Sequence, residues 1–261
     1  MLDALAPQRR RLVLGVAGVA GVLLLVLLTG LVVRAVGPVP AVPQEVAGPV
    51  LLVPGYGGDG SSLQALAAAL RAAGRNAVVV PRVGDGRGDL DAQAVALAAL
   101  ATQVRDETGA PSVDVVGFSA GGVVARLWVR DHGGGAVARR VLTLGSPHHG
   151  SSQAALGAGL AAGCPTACEQ LVPDSDLLRR LNARDETPDG PAWVTLRSTA
   201  DQVVTPVDSA ALEGALNVVV QDLCPQAETS HAELPDHPVT RALLRSALGV
   251  DPPTPPRSVS C

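Results

Sequence analysis

Val113-Asp114-Val115-Val116-Gly117-Phe118-Ser119-Ala120-Gly121-Gly122 is the stretch that decides the fold. Four residues of strand character run straight into Gly117-x-Ser119-x-Gly121, and a helical stretch, Gly121 to Arg130, runs straight out. Gly-x-Ser-x-Gly alone says little in a chain with 29 glycines. Between a strand and a helix it describes a sharp turn, with small residues where the two elements press together. The serine hydroxyl is lifted to the top of a sheet, above the positive end of the helix. Ser119 is the candidate nucleophile, and Gly117 and Gly121 are the glycines of its elbow.

Outward from that turn, short apolar runs alternate with longer helical stretches. The expected strands are Val50–Val53, Ala77–Val80, Val113–Val116, Val141–Leu144, Trp193–Arg197 and Asn217–Val220. The expected helices include Ser62 to Ala73, Leu90 to Thr108 with Asp89 placed to cap it, and His237 to Leu248. Runs that are apolar on both faces belong to strands covered on both sides. The expectation is one α/β domain, with a mostly parallel sheet of roughly six strands. Only 2% of the residues are aromatic although 47% are hydrophobic, so Ala, Val and Leu must build the core.

A serine hydroxyl attacks only when a base takes its proton, and the base must itself be oriented. With a nucleophile on this kind of elbow, the acid and the histidine follow it in chain order. Asp201 comes just beyond the strand Trp193–Arg197, in Ser198-Thr199-Ala200-Asp201; Asp208 and Asp222 are the alternatives. His231 falls after the last strand and before the last helix. His237 sits where that helix begins and suits a capping or surface role, while His148 and His149 precede the acid. Two backbone N–H groups are needed for the oxyanion. Ala120, after the nucleophile, supplies one, and Tyr56 in Pro54-Gly55-Tyr56-Gly57-Gly58 supplies the other. Tyr56 and Phe118, the only Tyr and Phe of the chain, are expected to wall an apolar acyl pocket.

Other features bound the setting. Arg9, Arg10 and Arg11 precede an uncharged run, Leu12 to Val33, that reaches about 33 Å as a helix, enough for a bilayer core of about 30 Å. The arginines favour an N-terminus inside and the remainder outside. An uncleaved anchor and a cleaved signal peptide both fit. The expected organisation is a cytoplasmic segment 1–11, the anchor or signal 12–33, a Pro-rich linker 34–48, a domain 49–250 and a Pro-rich segment 251–261. Cys164, Cys168, Cys224 and Cys261 all follow the apolar run and allow three pairings, in keeping with an oxidising compartment. A metal site is not expected, because no close His or second Cys pair joins Cys164 and Cys168. A net charge of -4, with no Arg-rich stretch interleaved with aromatics, gives nucleic-acid binding no support. Gly84 to Asp89 contains Arg-Gly-Asp but reads as a turn plus helix cap. Ser151 to Val172 is either a lid or a pinned loop.

Taken together, these residues resemble the small secreted bacterial lipases and esterases of the α/β-hydrolase superfamily, those with a minimal fold. The resemblance spans about Pro49 to Leu248. It rests on Val50-Leu51-Leu52-Val53-Pro54-Gly55-Tyr56-Gly57-Gly58, Gly117-Phe118-Ser119-Ala120-Gly121-Gly122, Thr143-Leu144-Gly145-Ser146-Pro147-His148-His149-Gly150, Ser198-Thr199-Ala200-Asp201 and His231. It implies a Ser119–His231–Asp201 triad acting on acylglycerols or simple esters, and no organic cofactor; a monomer is expected. By analogy it also implies a Cys168–Cys224 disulfide. Pro54 and Phe118 stand where many relatives have His, which bears on pocket shape and substrate. The rival functions are an acyltransferase or thioesterase on envelope lipids using the same serine, and a non-catalytic binding protein of the same fold.

Overall fold

The computed structural model describes residues 7–36, 42–159 and 164–261. They fall into two units, divided between Val39 and Pro40. The first is a single helix, α1 (Pro7–Val36). Its stretch Leu14–Leu31 is long and apolar enough to cross a membrane, a test that signal sequences also pass.

The second unit is built on six parallel strands: β1 (Val50–Val53), β2 (Ala77–Val79), β3 (Val113–Phe118), β4 (Ala138–Leu144), β5 (Ala192–Arg197) and β6 (Leu216–Val219). They lie in the order β2-β1-β3-β4-β5-β6. Each expected strand is present, with ends moved by up to three residues. β1, β3 and β4 are buried along their whole length, as strands covered on both faces are, and the polar residues inside β3 and β4 are buried with them. One face carries α3 (Leu90–Thr108) and α4 (Ala120–Asp131), packed through Leu97, Val123, Leu127 and Trp128. The other carries α2 (Gln64–Ala72) and α9 (Pro238–Ala247), packed through Leu66, Leu70, Leu243 and Leu244. Asp89 caps α3 as expected, its side chain accepting the Asp91 N–H. The shorter helices are α5 (Ser152–Ala158), α6 (Thr166–Gln170), α7 (Asp176–Asn182) and α8 (Val220–Leu223). Ser175 caps α7, its side chain accepting the Leu178 N–H.

The strand order locates the place where a ligand would sit. The chain leaves β1 for β2 on one side, then returns to β3 on the other. The crevice beyond the carboxyl ends of β1 and β3 is therefore a topological switch point, where open α/β sheets bind ligands. Pro54–Gly58 and Ser119 both emerge there.

At the opposite end of the sheet, Asp114 is fully buried. It takes two bonds from Arg139, Nε to Oδ1 at 2.9 Å and Nη2 to Oδ2 at 2.7 Å, and one from Arg75 at 2.6 Å. Both arginines also hold main-chain carbonyls: Arg139 those of Gln44, Leu248 and Gly249, and Arg75 those of Gly48 and Leu248. The clamp ties the chain entering β1 to the end of α9. Residues 42–48, the end of the Pro-rich segment 34–48, are thus tied to the domain through the Gln44 and Gly48 carbonyls; residues 37–41 lie outside the described residues. Asp114→Ala leaves Arg139 charged and buried without its partner, and should cost about 3–5 kcal/mol in urea unfolding. A loss below about 1 kcal/mol would show that the pairing adds little.

The disulfides differ from the expected Cys168–Cys224. Cys164 pairs with Cys168 and Cys224 with Cys261, each with Cα atoms 5.7 Å apart. The first closes a tight loop at the start of α6. The second forms because the irregular C-terminal segment runs back to the end of α8, a return that its proline content does not encode. Loop-closure entropy scales with the residues enclosed. Cys261→Ser, which opens a separation of 37 residues, should therefore cost roughly 4 kcal/mol, against roughly 2 for Cys164→Ser with its separation of 4. Denaturant melts of the two variants check the order; an equal or reversed order contradicts it.

Candidate active site

Ser119 adopts φ 53°, ψ -128°, one of two non-glycine residues with positive φ among those described. Such strain persists only where the surroundings impose it. Here β3 and α4 do so by crossing at van der Waals distance. A Cβ at Gly117 would lie 2.5 Å from Gly122 Cα, and one at Gly121 would strike the Val53 carbonyl. The glycines on either side of the serine are thus required by packing, as their spacing indicated. The Ser119 N–H donates to Leu144 O at 2.9 Å, which anchors the elbow to β4.

Asp201 and His231 come together. His231 Nδ1 lies 2.7 Å from Asp201 Oδ2, and both side chains are buried. The other carboxylate oxygen accepts the Val203 and Val204 N–H groups at 2.8 and 2.9 Å. Burial pushes the Asp201 carboxyl up. The hydrogen bond and charge of His231, with these two N–H groups, outweigh it and hold the carboxyl below its ordinary 3.8. An ionised carboxylate only accepts, so the Nδ1 that faces Asp201 is the nitrogen that donates in this pair. Gly145 allows this close packing: a Cβ there would sit 3.1 Å from Asp201 Oδ2 and 3.2 Å from His231 Nδ1.

The alternatives go elsewhere. Asp208 is exposed and pairs with Arg197 at 3.1 Å, and Asp222 is exposed on α8. His237 caps α9, accepting the Val239 N–H. His148 is fully buried against Thr143 Oγ1, and burial, with Arg126 and His149 nearby, pushes it well below 6.5. His149 bonds Glu186 at 2.7 Å, which raises its pKa.

A cleft of about 220 Å³ opens on Ser119, lined by Tyr56, Pro147, Ala154, Leu171, Val203 and Val204. Tyr56 is 39% exposed, with the Arg87 guanidinium 5.8 Å from its ring. Its N–H donates to no backbone carbonyl among the described residues, whereas those of Gly57 and Gly58 are taken by Gly86 and Gly55. Ala120 is the first residue of α4, directly after Ser119. Phe118 is not a wall of this cleft, contrary to expectation. It is the last residue of β3, and its side chain packs on the opposite face of the sheet, with its ring centroid 5.0 Å from that of His231. The alternation of side chains along a strand sends it away from the α4 face.

Part of the cleft wall comes from the segment Ser151 to Val172. Its ends are joined by Ser151 N–H to Leu171 O at 3.0 Å. Ser151 Oγ also holds Val203 O at 2.6 Å, and Gln170 holds Asp89 at 2.6 Å. Its described parts are therefore pinned to the domain; residues 160–163 lie outside them.

The model of the class 2 lipases matches residues 93–243, more than half of the chain. The chain belongs to the class 2 lipase family. This is a family of carboxylic ester hydrolases, and the matched residues run from α3 to α9 and include Ser119, Asp201 and His231. Among solved structures, this lipase-family chain is similar to lipase B of Aspergillus fumigatus, with a TM-score of 0.71 and 20% identity over 81% of this chain and 55% of that one. It is also similar to the mature form of Bacillus licheniformis lipase BlEst2, with a TM-score of 0.66 and 20% identity over 82% of this chain and 95% of that one. The chain thus spans about half of the Aspergillus enzyme and nearly all of the mature Bacillus one. At this identity the likeness is one of fold, the α/β-hydrolase fold. No curated protein sequence matches the chain.

Among the residues that the sequence left unmarked are Val203 and Val204, which hold the Asp201 carboxylate through their N–H groups and line the cleft. Their position directly after Asp201 was the available signal. Arg87 has none, because its approach to Tyr56 depends on a turn far away in sequence.

Proposed function

We propose that this chain is an extracytoplasmic carboxylic ester hydrolase that works through an acyl-enzyme on Ser119, with His231 as base and Asp201 as its orienting acid. The observation that carries the reading is the 2.7 Å Asp201–His231 pair, whose imidazole centroid lies 5.0 Å from that of the Phe118 ring, the residue before the strained Ser119. His231 Nε2 takes the Ser119 proton as Oγ attacks the ester carbonyl. The tetrahedral oxyanion is stabilised by the N–H groups of Ala120 and Tyr56, at the positive end of α4. Collapse expels the alcohol, which receives its proton from His231. Water, activated by the same nitrogen, then releases the acid and restores Ser119.

The cleft favours neutral, apolar acyl groups, since no charged side chain is among the described residues that line it. Val203 lines the cleft and is partly exposed, so the apolar wall reaches solvent, which suits a lipid or long-chain ester. Residues 12–33 act as a membrane anchor or signal, and residues 49–250 hold the catalytic machinery. Pairing of all four cysteines and the Arg9–Arg11 cluster support a domain on the outer side. The test is hydrolysis of p-nitrophenyl esters of increasing chain length by the full chain in detergent. Turnover that peaks within the series and is abolished in Ser119→Ala supports the proposal. A purified, folded chain that hydrolyses none of them contradicts it.

A further inference from the structure

The Asp201–His231 bond joins two loops 30 residues apart, and the sheet does not set their relative position. Pairing between β5 and β6 ends at Arg197↔Val219, before either loop begins. The chain from Pro225 to Ser230 has no regular ladder.

One side chain spans this gap. Gln221, half-buried on α8, accepts the Thr199 N–H on Oε1 at 2.9 Å. Its Nε2 donates to Ser198 Oγ at 3.0 Å and to Ala227 O at 2.8 Å. Ser198 and Thr199 open the turn that carries the acid: Ser198 Oγ accepts the Ala200 N–H, and Ser198 O the Asp201 N–H. Ala227 belongs to the segment that leads to His231. The amide orientation is fixed by its partners. Reversed, it would set its NH2 group against the Thr199 N–H and its oxygen against the Ala227 carbonyl.

We propose that Gln221 is a positioning residue that couples the acid loop to the histidine loop and thereby sets the Asp201–His231 geometry. The inference rests on the Ser119–His231–Asp201 reading. Gln221 touches neither substrate nor the reacting atoms. Its effect passes through the imidazole, whose placement relative to Ser119 governs proton transfer. A displacement of about 1 Å at such a group can cost on the order of 100-fold in rate.

Two variants separate the links. Gln221→Met keeps the length and removes all three bonds. Gln221→Glu still accepts the Thr199 N–H and can take the Ser198 hydroxyl as a donor in place of donating to it, but it sets an acceptor against Ala227 O, so it releases the histidine loop alone. The full chain in detergent is assayed with its best p-nitrophenyl ester for kcat and KM. The downfield proton NMR signal of the His231 Nδ1–H is followed alongside. The expected result is a kcat about 10-fold lower or more in either variant, KM close to wild type, and a shifted or broadened Nδ1–H signal. A folded variant with unchanged kcat overturns the inference, and so does one that loses kcat with the signal unmoved, because a merely structural role would do that. If one variant does not fold, the other decides. An active wild type with unaffected Gln221 variants removes this inference alone, whereas an inactive wild type removes the reading beneath it.

Discussion

Ser119→Ala is expected to lower kcat for ester hydrolysis by about 10⁴-fold or more while the thermal midpoint stays near that of the wild type. The acyl-enzyme needs the Oγ as its attacking atom, and no neighbouring group can replace it. What remains is binding and the oxyanion donors, which alone sustain only a small part of the acceleration. The fold should survive. The strain at φ 53° is imposed by β3 and α4, and the Ser119 N–H bond to Leu144 O belongs to the backbone. The measurement is kcat and a melting curve on the same purified sample. A folded Ser119→Ala chain with near-normal activity would mean that the chemistry lies elsewhere.

Asp201→Asn should cost up to about 10⁴-fold in kcat, whereas Asp208→Asn should leave activity close to wild type. The geometry gives the reason. Oδ1 of Asp201 accepts two N–H groups, from Val203 and Val204. An asparagine keeps its carbonyl oxygen on that side, since its NH2 group there would face two donors. The NH2 group then points at His231 Nδ1 and turns that nitrogen into the acceptor. The proton moves to Nε2, and the base arrives already protonated where Ser119 must be deprotonated. Asp208 forms an exposed pair with Arg197, of the kind worth about 0–1 kcal/mol. Steady-state kinetics on both variants decide; a larger loss at Asp208 would reassign the acid.

Much of this site was legible because its chemistry follows chain order. The elbow announces itself in Gly117–Gly121, since strand and helix can cross only where side chains are absent. Asp201 and His231 follow from their places after β5 and before α9. The strands were legible for a related reason: a sheet covered on both sides needs short apolar runs, and Val50–Val53, Val115-Val116 and Val141-Leu142 supply them. What stayed hidden depends on where loops go after they leave the sheet. Cys261 reaches Cys224 through an irregular segment with no periodicity to read. Phe118 follows the alternation of β3 to the far face, although its place beside the nucleophile suggested a wall of the cleft. Gln221 joins segments on both sides of it in the chain, and an isolated Gln in a polar stretch carries no sign of that. The Asp114–Arg139–Arg75 clamp was equally silent, because a single Asp inside a strand reads as a break in hydropathy until its partners arrive from elsewhere.

The central claim is that Ser119 is the atom donor for a covalent intermediate. It is tested most directly by inactivating the full chain with a p-nitrophenyl alkylphosphonate, which stops at a stable serine adduct, and mapping the modified peptide by mass spectrometry. One adduct per chain is expected, on the peptide containing Gly117–Gly122, formed in step with the loss of esterase activity and slowed strongly in Asp201→Asn. An adduct on any other residue, or full inactivation with Ser119 unmodified, would contradict it.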